Sequence, residues 1–170
     1  SLIDGREIHR GIDLYGQFRH GLFNHTLAYS LSESNEQFDG LNGGDWFASS
    51  TDQRHRIKFT ELYTQNGWVA AFNWSFATGA PARIQSDDSG LMDSERLPNY
   101  SQVDVSLTKQ IVARRFTFEG GISLLNVLNR NNVLGVDYFR LTGSDTDLSV
   151  KSEITALSFT PVAFVSIRFN

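Results

Sequence analysis

The chain has no cysteine, only three prolines, and no apolar run approaching the roughly 20 residues that a transmembrane helix needs. The first absence excludes a disulfide framework and a thiolate metal site, and it says nothing about compartment. A dominant charge is missing too. Fifteen basic residues stand against nineteen acidic ones, a net charge of −4, so there is no electrostatic footprint for nucleic acid and no polybasic membrane patch. Helical periodicity is almost absent. Ser1 begins without a basic region or an apolar signal core, so an export signal is expected either to have been removed or to lie upstream. A length of 170 residues suggests one domain or part of a larger one.

What is present is alternation. In the closing TPVAFVSIRFN, Pro161, Ala163, Val165, Ile167 and Phe169 take every second place, which predicts a strand with one wholly apolar face. The same period predicts strands over 7–18, 23–32, 54–63, 68–77, 100–110 and 116–124. The fourth is the clearest. Trp68, Ala70, Phe72, Trp74 and Phe76 form one face, and Val69, Ala71, Asn73, Ser75 and Ala77 the other. The Asn66-Gly67 pair predicts a tight hairpin between the third and fourth strands.

Connections alternate between short and long. Short turns fall at 19–22, 64–67 and 111–114, and long polar stretches at 35–52, 79–98 and 126–155, the last with a small hairpin expected at 133–141. Short turns at one end and long loops at the other are the asymmetry of outer-membrane barrels. Such barrels escape the hydropathy test, since only one face of each strand is greasy, and the mean hydropathy here is −0.27. In a soluble barrel Trp68, Phe72, Trp74, Phe76, Phe116, Phe118, Phe164 and Phe169 would all have to meet inside and would overfill it. Lipid accepts any number of them. Asp13, Gln17, Asn73, Gln102, Asp104, Arg115 and Glu119 lie opposite, a set suited to a wet or plugged lumen. Tyr63, Trp68 and Phe169 fall near the turns and Tyr29, Phe76 and Tyr100 near the loops, the positions of two aromatic girdles.

The expected fold class is therefore all-β, an antiparallel transmembrane β-barrel. Seven spanning strands are an odd number, whereas closed bacterial single-chain barrels have an even one, so further strands are expected upstream. An open sheet would also leave two unpaired edges in hydrocarbon.

ATGAPAR (77–83), LPNYSQVDVSL (97–107), ISLLNVLNRNN (122–132) and the closing FTPVAFVSIRFN together resemble the last strands of TonB-dependent outer-membrane receptors, especially Bacteroidota-like ones. GREIHRGIDLYGQF and DQRHRIKF are similar to earlier strands of the same region. The resemblance spans nearly the whole chain and rests on order and spacing rather than on one strong motif. It implies a barrel of 22 strands plugged by an N-terminal domain, of which residues 1–170 would be the C-terminal part. It also implies import of a scarce nutrient (an iron chelate, a cobalamin or an oligosaccharide) in a Gram-negative outer membrane, driven by the TonB complex through the missing N-terminal region. Val165, Ile167 and Phe169 would then carry the signal for the barrel-assembly machinery, although the family often ends in Phe itself and here Asn170 follows.

Candidate sites are few. Trp46 and Phe47 in the first loop, with Arg83, Asp87 and Asp88 in the second, are candidates for contacting ligand. Asp87, Asp88, Asp93 and Glu95 fit no known calcium loop, and His9, His20, His25 and His55 lack zinc spacing, so neither metal nor cofactor is expected. Arg54, His55 and Arg56 begin a strand at the outer surface and are candidates for lipopolysaccharide phosphates. No catalytic set stands out. The alternatives are a passive porin or small structural barrel, and a barrel-based adhesin or enzyme.

Overall fold

The structure, a computed structural model, describes residues 4–85, 92–142 and 147–169, and the side chains of all of these except 83–85, 92–94, 138–142 and 147–149. The fold is all β. In chain order the strands are β1 (Gly5–His20), β2 (Phe23–Phe38), β3 (Phe47–Ala48), β4 (His55–Gln65), β5 (Trp68–Ala77), β6 (Pro81–Gln85), β7 (Met92–Arg96), β8 (Tyr100–Val112), β9 (Phe116–Leu125), β10 (Val133–Thr142), β11 (Asp147–Thr155) and β12 (Thr160–Phe169), with one 3₁₀ turn at Asn42–Gly44. β1, β2, β4, β5, β8, β9 and β12 pair antiparallel in that order, β3 lies beside β2, and β6–β7 and β10–β11 are separate hairpins. β1 and β12 are the two edges of this sheet, which is open among the described residues.

Turn chemistry sets the register at one end. Asn66 (φ 48°) and Gly67 (φ 75°) are both left-handed, the backbone that a two-residue hairpin turn with the natural strand twist requires. A side chain at Gly67 would also strike the Gln110 carbonyl oxygen, 2.4 Å from an ideal Cβ, and the Gln110 N–H donates to the Gly67 carbonyl at 2.7 Å. The turn at 21–22 is as short, and that at 113–115 is one residue longer.

The expected long loops hold more structure than alternation shows. β2 runs six residues past the expected 32, since its period-two pattern continues through polar residues such as Ser34 and Glu36 that turn inward. The stretch 79–98 contains the β6–β7 hairpin. The small hairpin expected at 133–141 is instead the single strand β10 paired with β11; Gly135 sits beside a register shift, not a turn.

Register divides the sheet into two faces. On the first, Ile12 pairs with Leu31, Leu27 with Phe59, Phe59 with Trp74, Phe72 with Val105, Leu107 with Ile122, and Phe118 with Ile167, so one apolar surface crosses all seven strands. On the second, Asp13 pairs with Ser30, Thr26 with Thr60, Thr60 with Asn73, Asn73 with Asp104, and Ser106 with Ser123. Burial is the reverse of a water-filled exterior around an oily core. Among the described residues the buried apolar side chains are Ala77, Ala82 and Val133 alone, while Ser34, Glu36, Ser49, Asp52, Asn126 and Asn132 are buried polar ones. Ile12 is 62% exposed, Leu27 50%, Ile122 54% and Ile167 55%.

Candidate functional site

Of the residues expected to face the lumen, Asp13, Gln17, Asn73, Gln102, Asp104 and Glu119 share the polar face by register. Arg115 does not; it sits in the turn before β9. Tyr29, Tyr63, Trp68, Phe72, Trp74, Phe76, Phe116, Phe118 and Phe169 all share the apolar face. Two aromatics move sides. Tyr100 pairs with Ala77 on the polar face, where its hydroxyl donates to Gln102 at 2.6 Å. Phe164 pairs with Gly121 there, because the odd positions of β12 supply the apolar face; a Cβ on Gly121 would come within 2.8 Å of the Phe164 ring.

The apolar face carries charge only toward its ends. Glu61, which interrupts it near the turns, lies 3.6 Å from His25 Nδ1. Lys109 stands over the Trp68 ring at 4.9 Å and donates to the Asn66 carbonyl at 2.7 Å, its stem along the apolar surface and its head among turn carbonyls. At the loop end the Tyr29 hydroxyl and His55 Nδ1 are 2.9 Å apart. Of the three residues expected to meet lipid phosphates, His55 is thus occupied by Tyr29, and Arg56 turns to the polar face opposite Ser30. Only Arg54 remains on that side, 3.4 Å from Glu33.

Loops close over the loop end of the polar face through side-chain hydrogen bonds. Asp52, 1% exposed, accepts from the Ser34 N–H at 2.9 Å and from Arg96, whose other nitrogen donates to the Gly79 carbonyl at 2.9 Å. Burial pushes the Asp52 carboxyl up, but the Arg96 hydrogen bond, the Ser34 N–H and the charges of Arg96 and Arg54 outweigh it and hold the group below the usual aspartate range. Ser49 donates to Glu36 beside it. Gly79 must be glycine, since a Cβ would sit 1.6 Å from the Leu97 carbonyl oxygen.

The second corner is built from the asparagines of ISLLNVLNRNN. Asn126 and Asn129 adopt left-handed backbone (φ 49° and 46°), which asparagine tolerates. The Asn126 amide donates to the Arg130 and Leu157 carbonyls at 2.9 and 3.0 Å, and its N–H to Asp104 at 2.8 Å. Asn132 pairs with Ser101 as a strand residue would, accepting from its N–H at 2.9 Å and donating to its carbonyl at 3.0 Å. Asn129 accepts from the Phe159 N–H at 2.9 Å. Three asparagines at every third position therefore fasten β8, β9 and the approach to β12. The spacing was visible in sequence, and its partners, about 30 residues away, were not.

Trp46 and Phe47 do not form one stacking site. Phe47 lies in β3, its ring 6.2 Å from that of Phe38, whereas Trp46 lines a depression on the apolar side with Ile8 and Arg10. Adjacent residues of an extended chain point to opposite sides. The Arg83 side chain and Asp87 and Asp88 lie outside the described residues. Among the described residues no cluster of His, Asp or Glu could hold a metal ion, and no helix is long and apolar enough to cross a membrane. No family model, curated protein or solved structure matches this chain.

Proposed function

We propose that this chain is a strand-rich segment of an outer-membrane β-barrel receptor of the TonB-dependent kind, importing a scarce nutrient. The observation that supports this reading most is the inverted burial: large aliphatic and aromatic side chains stand exposed across all seven strands, while the buried side chains are mostly polar. In water, an apolar surface spanning a whole sheet is an aggregation hazard. Against lipid it is the stabilising surface.

Strand length agrees with that solvent. β5, β9 and β12 have 10 residues each; at about 3.3 Å per residue and a tilt near 40°, such a strand crosses the roughly 25 Å apolar band of an outer membrane. Lys109 and the His25–Glu61 pair fall toward the turn-side margin, where charge can reach headgroups and water. The free edges of β1 and β12 favour a larger barrel, because each unpaired backbone group in hydrocarbon costs several kcal/mol. The polar face would then line the lumen, and the loops latched by Asp52 and the asparagine corner would frame its mouth.

Reading the gene upstream of this stretch tests the proposal. A plug domain preceded by a TonB box, with enough strands to close the barrel, is the expected result. A closed barrel with no plug would make it a passive pore instead.

A further inference from the structure

We propose that Arg10 and Arg54 bind the phosphate of a membrane amphiphile in the leaflet on the long-loop side, with its acyl chains lying on the adjoining apolar face; this rests on that face contacting lipid. The site begins where the apolar pairs end. Ile12 and Leu31 are opposite each other, the next pair on the same face is Arg10 and Glu33, and the next is Ile8 and Asn35. Arg10, Glu33 and Arg54 border a depression of about 320 Å³ that Gly11, Ile12, Leu31 and Ser32 also line. Arg10 and Glu33 also border a second, of about 220 Å³, lined as well by Ile8, Asn35 and Trp46.

Charge decides the ligand class. The Glu33 carboxylate accepts from Asn35 at 3.2 Å and pairs with Arg54 at 3.4 Å. It thus answers one guanidinium, while Arg10 makes no ion pair among the described residues. The pocket therefore carries one net positive charge in a setting of two forked donors, which suits a phosphate. A soluble anion gains little there, because the side chains of Arg54 and Glu33 are 42% and 41% exposed and exposed pairs are worth about 1 kcal/mol or less. An anion whose acyl chains cover Ile12 and Leu31 gains apolar contact as well. Trp46, 41% exposed, lines the smaller depression beside Arg10, and indole rings favour the headgroup boundary.

The test places the protein in phosphatidylcholine bilayers with a small fraction of brominated lipid and reads tryptophan quenching. With Trp46 as reporter (Trp68→Phe, Trp74→Phe), brominated phosphatidic acid should quench more than brominated phosphatidylcholine at equal mole fraction, by about fivefold for one net charge at the surface. Arg10→Gln with Arg54→Gln should abolish the preference, and Glu33→Gln should increase it. A preference that is absent, that survives the double substitution, or that inorganic phosphate abolishes by competition overturns the lipid site. Trp68 and Trp74, read in a Trp46→Phe background, report separately on the lipid-facing sheet. If neither brominated lipid quenches them, the underlying membrane reading has failed instead; if both do and the double variant keeps that signal, the fold is intact and only the site is judged.

Discussion

Asp52 holds its ionised form in a nearly closed site through Arg96 and the Ser34 N–H, so its charge is tied to where the loops lie. Its carboxyl sits below the usual range in the folded state, which means the stabilisation is fully present above about pH 4 and is lost as pH falls through the depressed value. Arg96→Ala should lower stability by about 2 kcal/mol, less than the 3–5 kcal/mol typical of a fully buried pair because Arg96 is half exposed. Proteolysis at 79–98, compared between wild type and variant at neutral pH and at successively lower pH, checks this. The variant should be cut faster at neutral pH, and the difference should shrink as pH falls through the depressed value. None of this was legible in sequence, because Asp52 and Arg96 are 44 residues apart and each reads as a solvated loop charge. Glu61 was legible as an interruption of the apolar face, and His25 as its answer was not, since only the β2–β4 register brings them together.

At the level of the strand, two neighbours in β9 separate the faces. Ile122 looks out on the apolar side, 54% exposed, and Ser123 pairs with Ser106 and Val162 on the polar side. In the proposed orientation Ile122→Arg should destabilise the barrel by about 2–4 kcal/mol, as charged residues do near the bilayer midplane, and Ser123→Arg should cost far less. Urea unfolding in lipid vesicles measures both. For a sheet bathed in water the order would reverse, since replacing an exposed isoleucine by arginine costs little there. The strands themselves were readable because a period of two survives any loop content, and the Asn-Gly turn because its backbone needs two left-handed residues. Hairpin β6–β7 was missed for a matching reason, since its strands carry mixed polar residues and no apolar face to mark them; in the third long stretch the hairpin expected at 133–141 was drawn too short, although Leu148, Val150 and Ile154 take alternate places in β11.

Across the whole molecule, one side of a seven-stranded meander is greasy and open, the other is hydrogen-bonded and capped by loops at one end. Sequence alternation predicted the two faces, and register sorted them with three reassignments, Phe164, Tyr100 and Arg115. The absence of cysteine makes the decisive experiment clean, because each introduced thiol is unique. Spin labels placed one at a time along 68–77 in the membrane-embedded protein should show collision rates with oxygen, which concentrates in lipid, peaking at positions 70, 72, 74 and 76. Collisions with a water-soluble nickel chelate should peak at 69, 71, 73 and 75. Nickel maxima at the even positions, or no period of two in either profile, would contradict the account that the apolar face of this sheet meets the bilayer.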